Sequence, residues 1–524
     1  MIPLYSAQQV RDADKYAINE LKIPGIALME NASRSIYKTI RDEFTDIDQF
    51  NPIGIVCGKG NNGGDGFALG RHFINDGFSV ILISIGRESD LKGDALTNYR
   101  ILKNLLKQTD GSKLTTYKSI KDINSLIYCS VIVDAMLGTG AKGNLGEPYR
   151  SIINKLNEFD VWKVAVDLPT GLNIDTAEAD VIFEADLTVT LAQLKSGLFY
   201  GMGYVNSGEI VKGYIGLGEE YFESLVVDNY LLEPEDAYFS LPVKELNAHK
   251  YSTGKVFVIA GSGSLPGAAF FTSNSVLRSG GGASILAFPN SIKTLAQSKL
   301  DGATVSSYRD EGKEFLTSKN ITELTDRIKW ADVIVIGPGL GREKETLDAV
   351  NELLDKFKSK KFVIDADAIF ALRNGKYKKL NLKNKILTPH HKEFSDMIGV
   401  DIEKLEKNTI ELGKKFVKET GSYLVLKGAP TIIFTKDEEV IINSSGNPGM
   451  AKFGTGDVLS GVIGGMLAQS GDPERALLSA VYLHGLSADL LIEDKTEYSI
   501  TASDIMENLP NAIRFLEDSI VQSI

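Results

Sequence analysis

Two groups of residues in this sequence are of the types that do chemistry. The first is Asn447-Pro448-Gly449-Met450-Ala451-Lys452-Phe453-Gly454-Thr455-Gly456-Asp457, running into the apolar stretch 458–468. Gly454, Thr455 and Gly456 precede an expected helix, so their N–H groups should form an anion hole. Asp457 falls in the first turn of that helix. A carboxylate there caps a helix, but beside an anion hole it reads better as a base that takes a hydroxyl proton during phosphoryl transfer. No Gly-Lys-Ser/Thr follows, so the loop is not a Walker A motif.

The second group lies in the first half. Gly58-Lys59-Gly60-Asn61-Asn62-Gly63-Gly64-Asp65-Gly66 follows an apolar run, as expected of a phosphate loop opening a helix over 67–73. Asp134-Ala135-Met136-Leu137-Gly138-Thr139-Gly140 and Asp167-Leu168-Pro169-Thr170-Gly171 also follow apolar runs. Asn62, Asp134 and Thr170 are hard oxygen donors of little net charge, which suits a monovalent cation better than a transition metal. Further donors stand at expected strand ends in the second half: Gly339, Asp365, His390 with Glu393, and Lys427-Gly428-Ala429-Pro430-Thr431. Asp365 and Glu393 are candidates to hold magnesium through water, and His390 to hydrogen-bond a substrate.

Strands and helices must position these residues. Apolar runs at 53–57, 80–85, 131–135, 161–166 and 187–191 alternate with amphipathic stretches, and the pattern resumes at 256–260, 283–287, 333–336, 362–365, 386–387, 423–427 and 431–434. Such alternation predicts parallel sheets covered on both faces, with ligands at the carboxyl ends of the strands. A helix is expected over 6–20 with Ser6 as N-cap, and a mostly helical tail from Asp457. The pattern weakens between about 216 and 250, so two α/β domains are expected, 1–228 and 229–524, as 524 residues exceed one core.

Composition narrows the partners. A formal charge of −12 argues against nucleic acid or an anionic membrane. Cys57 and Cys129, each in a strand-like run, read as buried thiols of a reducing compartment. The N-terminus lacks a signal-peptide pattern and no apolar run reads as long enough to span a bilayer, so a cytoplasmic location is expected.

The first-half motifs resemble the NAD(P)H-hydrate epimerase family, the YjeF N-terminal domain, over most of 1–220. That resemblance implies a Rossmann-like three-layer αβα domain that interconverts the R and S hydrates of NADH and NADPH. It implies potassium on Asn62, Asp134 and Thr170, and substrate contacts from Asn61, Asn62, Gly63, Gly64, Asp65, Gly138, Thr139, Gly140, Ala141, Lys142, Gly143, Asn144 and Asp167. Asp167 is the expected acid–base residue, with Lys195 assisting electrostatically. Ser196 stands where the family usually has proline.

The second half, over about 240–515, resembles the NAD(P)H-hydrate dehydratase family, which has a ribokinase-like fold. The implied reaction phosphorylates the hydrate hydroxyl and eliminates phosphate. The implied nucleotide contacts are Lys427 through Thr431 and Asn447 through Gly456; Ala268, Gly339, His390 and Asp457 would face the hydrate. Phe453 replaces a common glycine, and His391-Lys392 replace a frequent Pro-Gly. The fused arrangement favours ADP over ATP, with magnesium. Small-molecule substrates (NADHX, NADPHX, ADP) and a homo-oligomer are the expected partners. Two readings compete: a ribokinase-type kinase with a non-catalytic first half, and a non-enzymatic nucleotide sensor. Asp167 beside Thr170 and Asp134 argues against the former, and Asp457 against the latter.

Overall fold

The computed structural model describes residues 1–45, 47, 50–140 and 145–521. It divides into two compact units, Pro3–Val227 and Asp228–Ile524, with Met1–Ile2 belonging to the second.

The first unit is built on seven strands: β1 (Ile53–Cys57), β2 (Val80–Ser84), β3 (Lys113–Thr116), β4 (Val131–Ala135), β5 (Trp162–Val166), β6 (Leu187–Leu191) and β7 (Glu209–Gly213). They lie in the order 3-2-1-4-5-6-7, all parallel, with Cys57 opposite both Ser84 and Ala135. That order is Rossmann-like. Every residue of β1 and β4 is buried, as strands covered on both faces must be. Each Val or Ile so buried contributes about 1.5–3 kcal/mol. Helix α1 (Ala7–Asn19) starts at a capping box in which Ser6 and Gln9 satisfy each other's backbone N–H groups.

The glycine-rich segment departs from expectation. Residues Asn61 to Asp65 are not loop but the first turns of a longer helix, α2 (Asn61–Asn75). Its glycines let that helix sit against the sheet: a Cβ on Gly63 would lie 2.1 Å from the Gly58 carbonyl oxygen, and one on Gly66 would lie 2.6 Å from Ala135 Cβ. A Cβ on Gly60 or Gly140 would meet nothing within 4 Å. Part of the glycine density thus serves packing, and part leaves open space. The segment around Cys129 is also different. It is a 3-10 turn, Asn124–Tyr128, rather than a strand, while both cysteines are buried free thiols.

In the second unit, the strands are β8 (Asn229–Leu232), β9 (Lys255–Ile259), β10 (Ala283–Pro289), β11 (Thr304–Tyr308), β12 (Val333–Ile336), β13 (Lys361–Ile364), β14 (Ile386–Leu387), β15 (Tyr423–Leu426), β16 (Ile432–Phe434) and β17 (Val440–Asn443). They run in the order 8-17-16-15-14-13-12-9-10-11. Pairing is parallel except for β15–β16 and β16–β17. Helices α3 (Pro266–Arg278) and α4 (Thr455–Ser470) pack closely through Gly461, whose Cβ would fall 2.2 Å from the Thr272 carbonyl oxygen. Helix α5 (Pro473–Asp489) packs on α4. Contrary to the expectation from sequence, the stretch Pro473–Glu493 is long and apolar enough to cross a membrane. Its apolar window is 72% buried inside the protein, as a core helix is.

Strands β3, β7, β8, β11 and β17 were not anticipated. Of these, β3, β7 and β11 are edge strands with polar sequences such as Lys-Leu-Thr-Thr and Thr-Val-Ser-Ser-Tyr. An edge strand faces fewer apolar neighbours and need not read as an apolar run.

Candidate active sites

In the first unit the carboxyl ends of β1, β4, β5 and β6 meet α1 and α2 around a cleft of about 460 Å³. Asn61, Asn62, Asp65, Gly138, Thr139, Gly140 and Asp167 line it, and Gly60 stands at its wall. The segment Ala141 to Asn144 lies outside the described residues. Gly63 and Gly64 are not among the lining residues; their missing side chains accommodate Gly58 and Met29.

Asp167 sits just past β5 with φ of +71°, a left-handed conformation that costs most residues energy and is least unusual for Asp and Asn. Its Oδ1 accepts from Lys195 Nζ at 2.8 Å and from the Leu191 N–H at 3.2 Å. Lys195 is wholly buried, its ammonium also donating to Thr190 Oγ1, the Leu191 carbonyl and the Gln193 carbonyl. The cation therefore stands behind the carboxylate and away from solvent. A Cβ at Gly138 would lie 3.2 Å from Asp167 Oδ2 and 3.5 Å from Asn62 Oδ1, so glycine there keeps the space before Asp167 open.

Asp134 and Thr170 are brought together. The Thr170 N–H and hydroxyl donate to Asp134 at 2.7 Å each, and the Met136 N–H donates at 3.0 Å. Burial pushes Asp134 up to about 6, and the hydrogen bonds from Thr170 and Met136 pull against it. Among the described residues no cationic side chain donates to it, so this buried carboxylate calls for a proton or an added cation. Among the described residues Asn62 Nδ2, also buried, has no partner. An oxygen-rich, weakly charged set of this kind fits a potassium ion.

The cleft also contains residues the sequence did not single out, chiefly Asp14 and Arg11 of α1. Nothing in an amphipathic helix pattern marks Asp14. Asp65 is pushed well above the usual carboxylate range by burial and then by the charges of Asp167 and Asp14.

In the second unit, Asp365, just past β13, is 1% exposed and takes Lys427 Nζ on Oδ1 at 2.7 Å and Ser460 Oγ on Oδ2 at 2.6 Å. Lys427, after β15, is half-buried and faces the start of α4: a Cβ on Gly456 would lie 3.3 Å from its Nζ. Burial works against the Lys427 charge, but Asp365, Glu393 and Asp457 outweigh it and raise its pKa. Asp457, in the first turn of α4, is pushed up to about 7 by burial first and then by Asp365 and Asp367, against the pull of Lys427. The first N–H groups of α4 have no intrahelical acceptors, so they face outward beside this ammonium. Gly454 precedes the helix in the left-handed region, φ +97°, with a Cβ position 2.9 Å from Ala502 Cβ, so it admits only glycine without strain.

Other expected residues fall into place differently. Gly339, at φ +62°, brings its backbone against Ala268, whose Cβ would be 2.9 Å from a Cβ there. His390 and Glu393 form a reciprocal helix cap: the His390 N–H donates to Glu393 at 2.9 Å and the Glu393 N–H to His390 Nδ1 at 3.2 Å. Asp365 is held by Lys427 and Ser460, and Glu393 by the cap. Among the described residues no group of three or more His, Cys, Asp and Glu could hold a metal ion. Much of the Asn447 to Thr455 loop is likewise engaged within the fold. Asn447 Nδ2 donates to Asp489 at 2.9 Å, and Lys452 donates to the carbonyls of Tyr498 and Ile500. Phe453 is fully exposed. A second hollow of about 470 Å³, lined by Asn290, Tyr308 and Arg309, holds none of the expected residues.

Residues 25–197 match the family model described as the YjeF-related protein N-terminus, and residues 256–511 match that of NAD(P)H-hydrate dehydratase. The bifunctional NAD(P)H-hydrate repair enzyme of Moorella thermoacetica is 34% identical, over 99% of this chain and 98% of its own length. That of Methanocaldococcus jannaschii is 34% identical over 95% of this chain and 91% of its own. Among solved structures, the ADP/ATP-dependent NAD(P)H-hydrate dehydratase of Bacillus subtilis, co-crystallised with ATP and Mg2+, is 30% identical. It covers 54% of this chain and 97% of its own, with a TM-score of 0.46. The sheet order of the first unit is Rossmann-like, and the chain belongs to the family of bifunctional NAD(P)H-hydrate repair enzymes.

Proposed function

We propose that the first unit interconverts the R and S hydrates of NADH and NADPH at Asp167, and that the second dehydrates the S form at Asp457 at the expense of ADP. The substrate is a carbinolamine, with its hydroxyl on the carbon beside the ring nitrogen. Water leaves when the hydroxyl is protonated and the nitrogen lone pair pushes; water returning to the other face inverts the centre. Asp167, positioned by Lys195, moves one of those protons. Asn62, Asp134 and Thr170 would hold potassium, which supplies fixed positive charge near the strand ends.

In the second unit Asp457 takes the hydrate hydroxyl proton, and the oxygen attacks the terminal phosphorus of ADP. The N–H groups at the start of α4 and the Lys427 ammonium face the charge that develops on the transferred group. Phosphate then leaves with the push of the nitrogen lone pair, and loss of a ring proton restores the dihydropyridine. Phosphate is a far better leaving group than hydroxide, which is why a kinase fold serves here. Magnesium would travel with the nucleotide phosphates, and no step above runs through it.

The observation that carries this reading is the buried Asp365–Lys427 pair aimed at the first turn of α4, where Asp457 stands. The test mixes hydrated NADH epimers with ADP and magnesium and follows the absorbance of reduced nicotinamide. Recovery of both epimers is expected. Persistence of R would remove the epimerase claim, and no recovery with either ADP or ATP would remove the dehydratase claim. Replacing ADP by ATP tests nucleotide choice, and exchanging potassium for sodium tests the cation. The net charge of −12 supports small-molecule substrates rather than nucleic acid or an anionic membrane as partners. The family resemblance supports a homo-oligomer, which light scattering would check.

A further inference from the structure

Inverting a carbinolamine by loss and return of water needs proton transfers on both faces of the ring. A single carboxylate fixed on one wall serves one face. Four carboxylates line the cleft: Asp167 past β5, Asp65 on α2, Asp14 on α1, and Asp94 beside Gly25. Among the described residues only Asp167 of these has an ammonium partner, Lys195. Asp65 is enclosed and held toward its neutral form. Asp14 belongs to a different wall, between the lining residues Val10, Ile18 and Leu28, and its side chain is open to the cavity rather than packed in the core. Partial enclosure first, and the Asp167 charge second, push Asp14 up to about 6, with Lys195 opposing. Among the described residues the other charged group lining this space is Arg11, which donates to the Thr139 carbonyl at 2.8 Å and to Gln8.

We propose that Asp14 is the second acid–base residue of the epimerisation, acting on the ring face that Asp167 does not reach. In one direction Asp14 gives its proton to the hydroxyl, the C–O bond breaks with its electron pair on oxygen, and water leaves as the nitrogen lone pair forms a C=N bond. Water then adds to the opposite face, the nitrogen regains its pair, and the Asp167 carboxylate takes the proton. The enzyme finishes with Asp14 ionised and Asp167 protonated, which is the form that runs the reverse reaction, and exchange with solvent resets it. Exchange in this direction needs Asp14 protonated, so its rate should carry a pH limb that belongs to Asp14.

This inference rests on the epimerase reading of the first unit, and the experiment separates the two. Full-length protein is given resolved R or S hydrate without nucleotide, and the other epimer is measured by chromatography. Asp14→Asn should lower the kcat of exchange about 100-fold or more, with KM within about threefold, and should abolish one limb of the pH profile. Asp14→Glu should recover at least part of the rate with a displaced limb. Exchange by Asp14→Asn within about threefold of wild type, or a raised KM with unchanged kcat, would overturn the assignment and leave the epimerase reading standing. If Asp14→Asn does not fold, an Asp14→Glu protein with an unaltered rate and profile overturns it instead. Absence of exchange in the wild type would remove both.

Discussion

Each unit contains an Asp–Lys pair at strand ends, and the two pairs face in opposite senses. In the first unit the lysine is hidden, with Lys195 at 0% side-chain exposure and Asp167 at 12%. In the second the aspartate is hidden, with Asp365 at 1% and Lys427 at 20%. The partner that faces the ligand tells what the pair is for. A buried cation behind a carboxylate holds an acid–base group, as proton transfer to and from water requires. A buried carboxylate behind a cation holds positive charge toward an anion, as phosphoryl transfer requires. In both units another carboxylate of raised pKa completes the set, Asp14 at about 6 and Asp457 at about 7.

The largest expected effect separates the two sites outright. Asp457→Asn should lower ADP-dependent recovery of the S hydrate by about 10³-fold, within the range for loss of a general base, while R/S exchange continues. Loss of both would show that the sites are not independent. Next comes the hidden lysine. Lys195→Met leaves Asp167 without its counter-charge and should cost the first unit about 3–5 kcal/mol, read as an earlier unfolding transition of that unit alone. An unchanged transition would mean that the pair contributes nothing to the fold.

The pH dependence of the second site is a smaller effect. Asp457 acts as a base only when ionised, and its pKa is raised, so kcat/KM for recovery should fall about tenfold per unit below about pH 7 and level off above it. A profile flat down to pH 5 would remove Asp457 as the titrating base. The smallest effect concerns Phe453, which is fully exposed. Phe453→Gly should change unfolding by no more than about 0.5 kcal/mol. Any effect should appear in the KM for ADP.

The strands that carry the sites were legible because parallel strands buried on both faces are apolar runs, and Asp134, Asp167, Asp365 and Lys427 each fall at or just past one. Polar edge strands such as Thr304–Tyr308 were not, since little covers them. Side-chain roles were legible only in part. The Asp167–Lys195 pair closes over 28 residues of chain and the Asp365–Lys427 pair over 62, and no local spacing encodes such contacts. The His390–Glu393 spacing is that of a capping box, and the structure forms that cap. Asp14 was missed because a helix pattern shows which face is apolar, not which acid borders a cleft.

The close seating of α2 has a consequence for tracing function through descent. A side chain on Gly63 or Gly66 would collide with the sheet whether or not any ligand binds. Selection for a foldable protein alone would preserve those glycines after catalysis had lapsed. In a diverged descendant, an intact glycine motif is therefore a record of architecture. The loss of Asp14, Asp167 or Lys195 would be the first sign of a retired enzyme.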